Sequence, residues 1–108
     1  MNLNKGNLFA AIPGDISEEL FTGLAHGQGT RIERIVSRGQ ASPASGWYDQ
    51  ADNEWVVVLQ GEAQLEFENS AAVHLRAVDY INIPAHMKHR VAWTKPESET
   101  VWLAVHYS

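Results

Sequence analysis

Apolar and polar residues alternate along this chain in short runs, and turn residues interrupt the runs every few positions. The clearest alternation spans residues 63–68, where Ala63, Leu65 and Phe67 take turns with Gln64, Glu66 and Glu68. A period of two is that of a strand with one face buried. Residues 54–60 carry Trp55, Val56, Val57, Val58 and Leu59 in succession. That predicts a strand apolar on both faces, inside a two-layer structure and not at its edge. Residues 30–37, rich in Ile and Val and closed by Arg38-Gly39, predict another. Shorter strands are expected around Val73 and Leu75, and over 80–83, 88–94 and 100–107. Gly27-Gln28-Gly29, Ala51-Asp52-Asn53, Gly61-Glu62, Asn69-Ser70 and Pro84-Ala85-His86 read as turns, and residues 40–46, with Pro43 and Gly46, as a loop. Trp47 to Gln50 resumes an extended segment. Residues 15–21 allow two readings, a helical turn capped by Asp15 or a first strand, and the strand from about Leu20 is preferred. Short strands and frequent turns without a long helical pattern predict an all-β sandwich or closed barrel.

Length and charge narrow the function. The chain has 108 residues, the size of one domain, so 1–108 is read as a single unit. Thirteen acidic residues against eight Lys and Arg give a formal charge of -5, with no basic cluster to offset it locally. A nucleic-acid partner is therefore not expected. The chain has no cysteine, which excludes a disulfide framework and a thiol nucleophile. No apolar run approaches the roughly 18 residues of a membrane span, and Met1 to Gly6 lacks the apolar core of a signal peptide. A cytoplasmic protein with no membrane partner is the expectation.

Two stretches carry the chemistry. In the first, Gly46, Glu54 and Gly61 stand with six residues between the last two; in the second, Pro84 and His89 stand with four between them. This spacing resembles the cupins, small jelly-roll β-barrels whose first motif runs Gly, His-x-His, Glu, Gly and whose second runs Gly, Pro-x-Gly, His, Asn. Asp79 matches the acid after the first Gly of the second motif. Val78 and His86 occupy its two Gly positions, and Trp93 its Asn position. The likeness covers residues 37–106 and implies an all-β, cupin-like jelly-roll barrel. Cupins bind a divalent metal through the His-x-His pair, the Glu and the second-motif His. Glu54 and His89 are carried over, but the His-x-His positions fall on Trp47 and Asp49 or on Tyr48 and Gln50.

The residues also speak without the family. Glu54 shares a strand face with Val56 and Val58, and His89 shares one with Val91 and Trp93. If those faces point inward, a carboxylate and an imidazole meet in an apolar interior, where a bare charge is costly. Either a metal (Fe, Mn, Ni or Zn) satisfies both, or they pair with each other. Asp49 and Gln50 are further candidate ligands, although Asp49 serves equally as a turn cap. His86 is a candidate proton carrier or extra ligand, or an exposed loop histidine, and Tyr48 is a second candidate for handling a proton. His26, His74 and His106 read as ordinary loop and strand residues. Arg34, Arg76 and Arg90 could reach a carboxylate substrate, or lie solvated on their strands.

Two functions of different class follow. One is a metal-dependent oxygenase or isomerase acting on a small organic molecule. The other is a metal-free binding module for such a molecule. The resemblance also implies a homodimer, with the apolar strand at 101–105 and the N-terminal segment, about residues 1–29, as its pairing edges.

Overall fold

The computed structural model describes residues 3–43 and 45–108. Met1 and Asn2, in the expected N-terminal segment, and Ala44, in the expected 40–46 loop, lie outside the described residues.

The alternating runs become strands: β1 (Leu20–Gly27), β2 (Thr30–Ser37), β3 (Asn53–Gln60), β4 (Glu62–Phe67), β5 (Ser70–Arg76), β6 (Tyr80–Ile83), β7 (His89–Thr94) and β8 (Thr100–Tyr107). Residues 15–21 resolve in favour of the strand, and β1 and β2 form the hairpin expected at Gly27-Gln28-Gly29. The strands make a five-stranded sheet ordered β1-β2-β8-β3-β6 and a three-stranded sheet ordered β5-β4-β7, all antiparallel. This is the all-β jelly roll that the strand pattern and the resemblance imply. No helix among the described residues is long and apolar enough to cross a membrane.

The core lies where the inner faces meet. Val56 and Val58 of β3, with Trp102 and Ala104 of β8, pack with Ala63, Leu65 and Phe67 of β4. β3 is apolar through Val56, Val57 and Val58 because both of its faces are covered: it runs between β8 and β6 in the sheet interior. On the outer face of the larger sheet the buried Arg34 side chain holds the N-terminal segment, donating to the carbonyls of Ala10 at 2.7 Å and Leu8 at 3.3 Å.

Two expectations are overturned. The 101–105 strand is not a pairing edge, because β8 is bonded on both sides, to β2 and to β3. Its apolar character reflects burial inside the sheet; the edges of the larger sheet are β1 and β6. Trp93 does not share a face with His89. A bulge interrupts the β4–β7 ladder: Leu65 pairs with Val91, but the adjacent Gln64 pairs with Trp93. The additional residue on β7 reverses the alternation, so Trp93 stacks on His74 of β5 with ring centroids 6.0 Å apart, and Thr94 is buried instead.

Turn chemistry fixes the rest. Gly61 sits at φ 93°, and a Cβ there would lie 2.6 Å from the Thr100 Cα and 2.8 Å from the Glu99 carbonyl oxygen. No side chain fits at that point, which explains a glycine between β3 and β4. Val78 and His86, at the two positions where the resembled motif has Gly, keep the positive φ that Gly would adopt, at 73° and 62°.

Candidate functional site

The two sheets enclose a cavity of about 190 Å³, open to solvent. Its walls are mostly apolar, with Ile35, Val56, Leu65, Val91 and Trp102 among them. Set into them are Glu54 and His89, brought together from different sheets by β3 and β7.

Hydrogen bonding and charge together define this pair. The His89 Nδ1 lies 2.9 Å from the Met87 carbonyl oxygen, which can only accept, so Nδ1 carries a proton. The other ring nitrogen, Nε2, faces the Glu54 Oε1 at 3.5 Å, and the side chains are only 7% and 12% exposed. An imidazolium satisfies both contacts. Burial alone would lower the His89 pKa, but the Glu54 carboxylate and the Met87 carbonyl outweigh it and hold it above the usual histidine value. Burial likewise pushes Glu54 up, and the contact with His89, the charge of His106 and the Gln50 amide together bring it below the usual carboxylate value. The Gln50 Nε2 donates to Glu54 Oε1 at 3.4 Å.

The other candidates divide. Tyr48 lines the cavity, its backbone bridged to that of His89 and its ring 5.8 Å from the imidazole. Gln50 lines it as well. Asp49 and His86 do not. Neighbouring residues of an extended segment point to opposite sides, so Asp49 turns away between Tyr48 and Gln50 and meets His86 outside, Oδ1 to Nδ1 at 2.8 Å. The arginines weighed as substrate anchors are engaged or turned elsewhere. Arg34 faces the N-terminal segment, and Arg90 pairs with Glu66 at 2.8 Å and lies over the Trp47 ring.

Several cavity residues escaped the sequence reading: Glu19, Arg31, Glu33 and His106. His106 stands directly opposite Glu54 across the β3–β8 ladder and donates through Nε2 to Glu33 at 3.0 Å. The signal for Glu33 and Arg31 was parity with Ile35 along β2, and it is usable only once the inward face of that strand is known. Glu19 accepts a hydrogen bond from the Ser37 hydroxyl; burial raises its pKa and that bond partly offsets the rise.

A metal centre needs more donors than this pair supplies. Among the described residues no three His, Cys, Asp or Glu side chains are grouped to hold a metal ion. The Gln50 amide stands beside Glu54, whereas the Nε2 of His106 is engaged by Glu33. The residues present therefore do not by themselves complete a divalent-metal site.

An antiparallel jelly roll of two sheets closing on a largely apolar cavity defines a small single-domain β-barrel. Residues 35–106 match the cupin domain, and the chain belongs to the cupin family. Its fold is closely similar to that of a candidate mannose-6-phosphate isomerase from Ralstonia eutropha JMP134, with 47% sequence identity over 98% of this chain and 99% of that one and a TM-score of 0.94. An RmlC-like cupin from Desulfovibrio desulfuricans shares the fold at 16% identity, covering 98% of this chain and 97% of that one with a TM-score of 0.77. A cupin superfamily protein from Desulfitobacterium hafniense does so at 19% identity, 99% and 94% coverage and a TM-score of 0.76. No curated protein matches the chain.

Proposed function

We propose that the chain binds a small organic molecule in the cavity between its sheets, with a hydroxyl or carbonyl group of that molecule taken up by Glu54, His89 and Tyr48. The observation that carries this reading is the buried Glu54–His89 pair beside the apolar walls of the cavity. Pockets of this kind use apolar surface for affinity and a few polar groups for orientation. The Glu54 carboxylate keeps His89 charged, so the imidazolium can give a proton to the carbonyl oxygen while the carboxylate accepts the one leaving the adjacent carbon. That chemistry suits an isomerase better than an oxygenase. The name of the Ralstonia eutropha relative makes mannose 6-phosphate the first substrate to try. The expected result in D2O is deuterium entering the sugar beside its carbonyl carbon, followed by NMR and lost in His89→Gln. Binding without exchange would leave the barrel as a non-catalytic binding module.

A second reading rests on the His89 ring. A histidine that donates Nδ1–H to a backbone carbonyl presents Nε2 as a metal-ligating histidine does. Glu54 would be the second donor for Fe, Mn, Ni or Zn, with the Gln50 amide, which here donates to Glu54, turned to offer its oxygen and with water completing the shell. Elemental analysis of untagged protein, with titration of each ion, separates the two. About one metal per chain, lost in a folded Glu54→Ala variant, favours the second reading; no measurable affinity favours the first. A homodimer belongs to either reading, with β1, one of the two edge strands of the larger sheet, as its pairing edge.

A further inference from the structure

The larger sheet carries a row of polar side chains at one end of the cavity. Across the strands, His26 of β1 stands opposite Arg31 of β2, Arg31 opposite His106 of β8, and His106 opposite Glu54 of β3. Directly opposed residues of an antiparallel ladder project from the same face, and Arg31, His106 and Glu54 all line the cavity. Two residues along each strand the row becomes Glu33, Ala104 and Val56, and two further Ile35, Trp102 and Val58. The cavity therefore passes from charged to apolar along the strands.

Charge bookkeeping singles out one side chain. Glu54 is paired with His89, Glu33 accepts from His106, and Glu19 accepts from Ser37. Burial raises Glu19, which favours its neutral form. Arg31 is exposed at the cavity, and its guanidinium has no hydrogen bond or ion pair among the described residues. Its neighbours in the row are both imidazoles. An unpaired guanidinium between two histidines, at the polar end of an apolar cavity, is arranged to receive an oxyanion.

We propose that the cavity takes a small organic anion, whose carboxylate or phosphate is held by Arg31 between His26 and His106 while its body lies against Ile35, Val56, Leu65 and Trp102. This rests on the small-molecule reading above and adds the charge of the ligand to it. The cavity, at about 190 Å³, is smaller than the roughly 300–1,000 Å³ of pockets that enclose drug-sized molecules, so the ligand is of metabolite size. Arg31 is thereby a binding residue.

The test is an NMR titration read at the Trp102 indole N–H, which donates to Ser37 at 3.1 Å beside the cavity. The probes are benzoate, phenyl phosphate and benzyl alcohol, with mannose 6-phosphate set against mannose. The expected result is saturable binding of an anion about tenfold or more tighter than its neutral counterpart, equivalent to about 1.4 kcal/mol. Arg31→Gln should abolish that preference while leaving the neutral probe's affinity unchanged. Benzoate against phenyl phosphate tells a carboxylate site from a phosphate site. Neutral probes that bind as tightly as anions, or an Arg31→Gln variant that keeps the preference, would overturn the anion site and leave the small-molecule cavity standing. Silence of Trp102 toward every probe would overturn both.

Discussion

His86 and His89 lie three residues apart, and each meets a carboxylate, yet the two pairs differ in nearly every physical respect. His86 and Asp49 are closer, at 2.8 Å, but 70% and 43% exposed. His89 and Glu54 are 3.5 Å apart and almost wholly enclosed. In water two charges at contact gain little, because solvent screens them and both side chains must be held still. In an enclosed site each charge has been stripped of water and depends on its partner. Distance would rank the outer pair first; burial reverses the order.

The largest expected effect follows from that reversal. His89→Ala leaves the Glu54 carboxylate enclosed without its main partner, and should cost about 3 kcal/mol or more of unfolding free energy. His86→Ala should cost less than about 1 kcal/mol. Urea denaturation of the two variants measures both. Equal losses would mean that enclosure is not what distinguishes the pairs.

Proton linkage sharpens the contrast. Glu54 is lowered from 4.5, so its contribution is complete above that value and is lost as pH falls through the folded pKa. His89 is raised from 6.5, so its contribution is complete below that value and is lost as pH rises through the folded pKa. The two overlap between pH 4.5 and 6.5. The stability gap between the native chain and a Glu54→Gln, His89→Gln double variant should be widest in that window and narrow on both sides. A gap that does not move with pH would show that the pair contributes through packing and not through charge.

Much of this was legible in the sequence, and the reason is local. Periodicity fixed β2, β3 and β4 nearly to the residue, because a strand with one or two buried faces must write its burial into its side chains. Glu54 and His89 could be picked out because each interrupts an apolar face. What stayed hidden depends on relations between strands. Trp93 was placed on the wrong face by a bulge that no residue on β7 announces. The strand ending the chain looked like a sticky edge, since apolar composition alone does not tell an unpaired strand from a central one. Arg31, Glu33 and His106 form a site only when β2 is laid against β8, and alone each resembles an ordinary polar residue of a strand.

The backbone at the second motif offers an intermediate effect. Val78 is a β-branched residue at φ 73° and is 74% exposed, so its side chain contributes little packing while its backbone is strained. The turn is held by backbone bonds that any residue can make: the Val78 N–H donates to the Val58 carbonyl, and the Val58 N–H to the Asp79 carbonyl. Val78→Gly should therefore stabilise the chain by about 1 kcal/mol, the relief of strain exceeding the entropy gained by the unfolded glycine. A rise in the thermal midpoint is the readout; a fall would mean that the valine side chain packs on something in solution.

The smallest effect discriminates most finely, because at His86 the two contributions oppose each other. The residue sits at φ 62° and holds the exposed pair with Asp49. Replacement by glycine relieves backbone strain worth about 1 kcal/mol net of the freedom that glycine gains in the unfolded chain and gives up a contact worth about 0–1 kcal/mol. His86→Gly should thus be neutral to slightly stabilising, within about 0.5 kcal/mol. Asp49→Asn removes the charge of the pair and leaves the His86 backbone as it was, so it should cost no more than the pair itself. The two substitutions separate what a combined variant would blur. A clear loss in His86→Gly, matched by an equal loss in Asp49→Asn, would assign that loss to the pair and raise the exposed contact toward the rank of the buried one. A loss in His86→Gly alone would place it in the glycine's freedom in the unfolded chain, and the ranking by enclosure would stand.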